Sequence, residues 1–350
     1  MAPSKLLLTG ATGYIGGTVL TRFVSSVFPS IKNLSYTVLV RQPEQAEYYK
    51  SQGITPILFE NLDQLDLLKK AASEHDIVVN TASAFRPLAA RALIEGLAER
   101  KKATGGPVYF IHTSGTSSIG NRPVSKAYTA EADHEFSDKD QDIYAYELMR
   151  EEKGPYGQRT GDVAVVQAGE EHKIPTYILM SPTIYGTGSG AYNKRSIQIP
   201  ALVKFALSKG YAEYIGDGAG VWDHAHVDDT AALYEIILNR LLAGEALPSG
   251  RKGIYFVGTG RASWKQVSDG IAKAGHELGV LREATARSAD LEELAGGRNA
   301  MTFELGFASR SVTKADLARG LGWKPERTEE DWERGFAEEV RAAVEAAKSA

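Results

Sequence analysis

Thr9-Gly10-Ala11-Thr12-Gly13-Tyr14-Ile15-Gly16 constrains this chain more than any other stretch. An apolar run, Lys5-Leu6-Leu7-Leu8, precedes it and reads as a buried first strand; a helix-like run from Tyr14 to Val27 follows. Gly10, Gly13 and Gly16 give a sharp strand-to-helix turn with no β-carbon facing a ligand. A dinucleotide pyrophosphate can then lie against backbone N–H groups at the positive end of the helix. A glycine triplet alone is weak, but this one sits between a strand and a helix near residue 1, the context the motif needs. The next strand, Tyr36-Thr37-Val38-Leu39-Val40, ends in Arg41. That strand end faces the adenosine ribose in a dinucleotide fold. An acid there would bind the 2′-hydroxyl of NAD, whereas a guanidinium offers a fork to a 2′-phosphate. Arg41 therefore points to NADP(H), against the plainer reading of a solvated arginine after a strand.

Strand–helix alternation continues. Ile54 to Phe59, Asp76 to Asn80, Pro107 to His112 and Pro175 to Met180 read as strands; Leu62 to Ser73, Phe85 to Lys102 and Gln158 to His172 read as helices. This order predicts an α/β fold, a doubly wound parallel sheet of the Rossmann type. Ser117 to Asp142 is polar and irregular and reads as a substrate-side loop. After Gly186 the pattern breaks into loops and short helices (Ile199–Lys209, Thr230–Leu242, Trp264–Leu278, Lys314–Leu321, Glu329–Ala347), with a strand at Gly253–Val257. We therefore expect a dinucleotide-binding domain over residues 1–185. A smaller C-terminal substrate lobe over 186–350 follows, some of whose strands and helices return to the core.

Composition narrows the partners. The chain has 350 residues, 43% of them hydrophobic and 24% charged, enough for a sizeable soluble core. A net charge of −4 gives no reason to expect nucleic acid or an anionic membrane. There is no cysteine, which excludes disulfides, thiolate metal sites and cysteine nucleophiles. Met1-Ala2-Pro3-Ser4 leads straight into the first strand and no apolar run reaches membrane-spanning length, so the cytoplasm is the expected compartment.

Several motifs together resemble the extended and atypical branches of the short-chain dehydrogenase/reductase superfamily, in particular its epimerase/dehydratase-like and NmrA-like members. They are the Thr9–Gly16 turn, Asp76–Ser83, Ser181-Pro182-Thr183-Ile184-Tyr185-Gly186, His226-Val227-Asp228-Asp229 and Leu321-Gly322-Trp323-Lys324-Pro325. The resemblance implies that Gly10, Thr12, Gly13 and Gly16 hold pyrophosphate, with Tyr14 and Ile15 donating backbone N–H groups. It implies that Arg41 holds the 2′-phosphate, and that Asn61-Leu62 lies beside adenine with the Asn61 carbonyl oxygen in place of the family's usual acid. Ala82 and Ser83 would line the ribose–nicotinamide path, and Ser181, Pro182 and Thr183 would approach the carboxamide. By analogy, two copies would pair through the Phe85–Lys102 helix.

The superfamily's chemistry needs a tyrosine that moves the proton, a lysine one helical turn later and a serine or threonine on the reacting oxygen. No clean Tyr-x-x-x-Lys precedes the sixth strand. Tyr156-Gly157-Gln158-Arg159-Thr160 stands near the right place with Thr160 where lysine is expected; Tyr146-Glu147-Leu148-Met149-Arg150 lies too early. The family's second serine falls on Gly115, leaving Ser114 or Thr116 to supply the hydroxyl, or both to close the strand-end loop. Tyr156 is the expected proton donor, with Arg159 as the nearby positive charge. Asp223–Asp229 is read as metal-free: Asp228 or Asp229 caps a helix, His224 or Asp223 reaches a substrate pocket, and Trp222, Tyr185 and Tyr192 line that pocket or pack the lobes. The leading expectation is an NADP(H)-dependent oxidoreductase acting on a carbonyl or alcohol of a small organic or secondary-metabolite substrate. The alternatives are a catalytically degenerate NADP-binding sensor, and a sugar-nucleotide epimerase or dehydratase.

Overall fold

Leu6, Leu7 and Leu8 are fully buried in succession, as expected where a strand is covered on both faces. They belong to β1 (Lys5–Thr9), an inner strand of a seven-stranded sheet in a computed structural model that describes residues 4–129 and 134–349. The other strands are β2 (Ser35–Val40), β3 (Thr55–Leu58), β4 (Ile77–Asn80), β5 (Tyr109–Gly115), β6 (Thr176–Ser181) and β7 (Ile254–Phe256). All pair in parallel, in the spatial order β7-β6-β5-β4-β1-β2-β3. The order reverses between β1 and β4, which opens a crevice at the carboxyl ends of those strands. The sequence-expected strands all lie in this sheet. Met1-Ala2-Pro3 and residues 130–133, within the Ser117–Asp142 stretch, fall outside the described residues.

Helices cover both faces. On one, α1 (Tyr14–Val24) packs on the later helix Val227–Leu242; on the other, α2 (Leu65–Ser73), α3 (Pro87–Thr104), α4 (Ile143–Lys153) and α5 (Gly157–His172) lie side by side. The approach of α2 and α3 depends on Gly96, where a β-carbon would stand 2.2 Å from the Lys69 carbonyl oxygen. Beyond β6 the chain builds a second unit. Helices Gln198–Lys209, Trp264–Glu277 and Glu329–Ser349 enclose Trp222, Trp264, Trp332 and Phe336. β7 and Val227–Leu242 return to the first unit. Among the described residues, no helix is long and apolar enough to cross a membrane.

Candidate active site

The glycine turn is built as a cradle. Gly10 has φ +79° and its carbonyl accepts the Gly13 N–H at 2.8 Å, so the chain turns sharply after β1. A β-carbon on Gly16 would lie 2.2 Å from Thr81 Oγ1 and 2.3 Å from the Gly10 carbonyl oxygen; only glycine lets α1 start this close to β1 and β4. No side chain caps α1 and no acid stands in its first turn, which leaves its positive end for an anion. A segment after β6 closes over this end: Tyr14 Oη donates to the Gly186 carbonyl at 2.7 Å, and the Asn193 N–H donates to the Thr12 carbonyl at 3.2 Å. Gly17 and Gly190 touch backbone to backbone.

From the turn, a cavity of about 470 Å³ runs across the sheet edge. Gly13, Tyr14, Ile15 and Gly16 form one end. Ala82, Ser114, Ser117, Ser181 and Pro182 line its course, and Phe85, Ile197 and Phe307 wall the mouth. Ser181 Oγ is buried without a hydrogen-bond partner. A glycine cradle, an uncapped helix end and an unpaired hydroxyl along one cavity fit a dinucleotide.

Other expected residues stand elsewhere. Arg41 is exposed at the end of β2 and makes no ion pair among the described residues. Asn61 Oδ1 accepts the Asp63 N–H at 2.8 Å, and Leu62 packs on the core. Ser83 Oγ accepts the Phe85 N–H at 3.2 Å. Thr183 faces a tight cluster with Trp222, His224 and Trp332 rather than the cavity. Thr116 is fully buried and does not line the cavity.

The tyrosine region departs furthest from expectation. Tyr156 is only 4% exposed, precedes α5 and donates its hydroxyl to Ser117 Oγ at 3.1 Å. Burial raises its pKa; the Ser117 hydrogen bond and the Arg159 charge oppose this less strongly. Arg159 points away from the cavity. Its guanidinium donates to the Ser118 carbonyl at 2.7 Å, the Gly154 carbonyl at 2.8 Å and Glu151 at 3.1 Å. Thr160 Oγ1 donates to the same Glu151 carboxylate. Gln158 fills the space over Gly115, where a β-carbon would meet its Nε2 at 2.7 Å, and its Oε1 accepts from Ser117.

Behind Ser114 lies a group the sequence reading missed. Ser114 Oγ and Ser118 Oγ donate to Asp162 Oδ2 at 2.7 and 2.9 Å. Asp162 and its neighbour Glu147 are both fully buried. Burial lifts Asp162 to about 7, and burial with the adjacent acid lifts Glu147 well above the carboxylate range. Asp162 Oδ1 and both Glu147 oxygens have no hydrogen-bond partner among the described residues, and a proton held between the two carboxyls serves one oxygen of each. His112 Nε2 lies 3.9 Å from Asp162 Oδ1. Each acid falls on the buried face of its helix, Glu147 with Ile143 and Arg150, Asp162 with Arg159 and Val166, and charged residues on those faces leave no apolar period to reveal them.

The Asp223–Asp229 segment is structural and corrects three expectations. The helix begins at Val227, and His226, rather than Asp228 or Asp229, caps it: Nδ1 accepts the Asp228 N–H at 3.1 Å. Asp223 is held by Arg261 at 2.8 Å and by the Thr313 N–H at 2.6 Å, while His224 stacks on Trp332 at 3.9 Å, so neither reaches the cavity. Tyr192 packs on Tyr48 and Tyr49, and Tyr185 on Trp332; Trp222 does line the cavity.

The sheet order and the crevice define a Rossmann-type dinucleotide fold. Residues 6–258 match the NAD dependent epimerase/dehydratase family, and the chain belongs to it. It is 28% identical over 335 residues to the oxidase ucsJ of an Acremonium species, covering 92% of each chain. It is 21% identical over 339 residues to the low-salt glycan biosynthesis protein Agl12 of Haloferax volcanii, covering 93% of this chain and 95% of that one. Among solved structures, dTDP-glucose 4,6-dehydratase of Streptomyces venezuelae with NAD bound superposes with a TM-score of 0.66 at 17% identity, over 97% of each chain. UDP-glucose 4-epimerase of Thermotoga maritima gives 0.63 at 16%, over 97% of this chain and 99% of that one. These likenesses establish the fold.

Proposed function

We propose that the protein is an NADP(H)-dependent oxidoreductase that reduces a carbonyl, or oxidises the matching alcohol, of a small and largely apolar organic molecule. The observation that carries this reading is the single cavity joining the Gly13–Gly16 turn to the hydroxyls of Ser114 and Ser117 behind an apolar mouth. Gly10 to Gly16 would hold the pyrophosphate, Arg41 the 2′-phosphate, and Ala82 with Ser181 the nicotinamide half. The bound coenzyme supplies or accepts a hydride. The chain's own contribution is to orient the substrate, exclude water from the inner cavity and move a proton at Ser114.

An apolar substrate is favoured over a sugar nucleotide by charge. Arg195 is the one cation among the described residues lining the cavity, and it pairs with Glu339 at 3.4 Å. A second diphosphate would therefore meet no free guanidinium or ammonium group there. The oxidase among the relatives supports redox chemistry on an organic substrate. The test is NADPH consumption by purified protein across ketones, aldehydes and imines, beside UDP- and dTDP-sugars. Turnover of apolar carbonyls supports the proposal. Tight NADPH binding with no turnover across the panel replaces it with a redox sensor, and conversion of a nucleotide sugar replaces it with an epimerase or dehydratase.

A further inference from the structure

We propose that Asp162 and Glu147 form an internal proton store that feeds the cavity through Ser114. This rests on the carbonyl-reductase reading and goes beyond it, because it names the source of the proton where the family's tyrosine–lysine pair is missing.

The geometry defines a chain of contacts across three elements. Ser114, next to last in β5, lines the cavity and holds Asp162 on α5 at 2.7 Å. Glu147 reaches the same carboxyl from α4. The third approach is from the sheet. Thr9 Oγ1 donates to Asn80 Oδ1 at 2.6 Å, which orients the amide so that Asn80 Nδ2 donates to His112 Nδ1 at 2.9 Å. That assignment leaves the proton of neutral His112 on Nε2, facing Asp162 Oδ1. His112 stays neutral because burial lowers its pKa to about 4. Arg159 and Glu151 also act on the pair, Arg150 shares the buried face of α4 with Glu147, the Tyr156 phenol interacts with Asp162 and the Tyr144 phenol with Glu147; none of these lines the cavity. Two carboxyls side by side in a dry site cannot both ionise, so Glu147 keeps its proton near neutral pH and Asp162 holds a second one below about 7.

The step balances. When a carbonyl in the cavity is reduced, its carbon gains a hydride from the reduced nicotinamide coenzyme and its oxygen gains one proton. For the transfer, the Ser114 hydroxyl turns from Asp162 Oδ2 to the substrate oxygen and Oδ2 carries the Asp162 proton; the Ser114 O–H bond then breaks toward the substrate oxygen as the Asp162 O–H bond breaks toward Ser114 Oγ. Asp162 is left as a carboxylate beside the Glu147 carboxyl, and solvent restores the proton after product leaves. Alcohol oxidation runs the same transfer in reverse.

The experiment combines kinetics with infrared spectroscopy on the full chain. Ser114→Ala, Asp162→Asn and the double variant are compared with wild type for single-turnover carbonyl reduction and for NADPH affinity by fluorescence. We expect each single variant to lose at least roughly tenfold in rate, the double variant to be no slower than the worse single one, and NADPH affinity to stay within about twofold. Wild-type reduction should slow as pH rises through about 7, and Asp162→Asn should lose that dependence. Independently, wild type at neutral pH should show an infrared carbonyl band of a protonated carboxyl that Asp162→Asn abolishes or shifts. Additive losses in the double variant, an unchanged pH profile in Asp162→Asn, or no protonated-carboxyl band in wild type would each overturn the proposal. If wild type reduces no carbonyl, the functional reading fails, while the infrared band still decides whether the pair stores a proton.

Discussion

Arg41 leaves β2 with its guanidinium in solvent and unpaired, so its removal disturbs little of the fold. Charge-assisted bonds to a phosphate are worth about 1.5–3 kcal/mol. Arg41→Ala should therefore weaken NADPH about 10- to 100-fold and leave NADH within about twofold, read by fluorescence titration. Equal losses for both would mean that the residue does not meet a 2′-phosphate. Tyr156 supplies one hydroxyl to Ser117 from a buried position. Tyr156→Phe should lower turnover by less than about tenfold, and by less than Ser114→Ala; a comparable loss would return proton delivery to the phenol. Asp162 carries a sign that can be checked. Its folded pKa stands above the ordinary carboxylate value, so the folded state binds the extra proton and stability falls as pH rises from about 4 to about 7. Asp162→Asn removes that term. The variant's Tm minus that of wild type should rise as pH is raised through this window, and a difference that stays flat or falls with pH would show that Asp162 is not protonated in the fold.

Elements set which parts of this architecture could be read in advance. Most of the parallel strands were legible because burial on both faces writes them as apolar runs, Leu6 to Leu8 and Ile77 to Val79 among them; the edge strand β3, part-exposed throughout, followed from the strand–helix alternation. Several helices were not, among them Pro43–Ser51, α4 and Ala300–Phe307. Pro43–Ser51 buries only Ala46 and Tyr49, too few for an apolar stripe. Helix α4 puts Glu147 and Arg150 on its inner face, which hides its period and, with it, the acid pair. The cradle was legible from glycine spacing. The chemistry was not, since Gln158 over Gly115 and Asp162 behind Ser114 arise from packing between elements distant in sequence. The glycine contact between α2 and α3 is testable at this scale. Gly96→Ala forces a β-carbon against the Lys69 carbonyl and Ala72 and should cost about 1–3 kcal/mol in guanidinium unfolding with NADPH affinity retained. An unchanged midpoint would mean that these helices yield freely.

At the scale of the whole molecule, the first unit supplies the cradle and the second closes it. The segment from Gly186 to Arg195 crosses the start of α1, and Ile197 and Phe307 from the second unit wall the mouth. On the proposed reading, substrate choice and coenzyme retention depend on both parts together. Everything proposed for the serines and the acid pair presupposes that the amino-terminal crevice takes a phosphorylated nicotinamide dinucleotide. Calorimetric titration of purified protein with NADPH and NADH measures this most directly. The account predicts saturable one-site binding of NADPH with NADH at least roughly tenfold weaker. Absence of NADPH binding at millimolar concentration would contradict it.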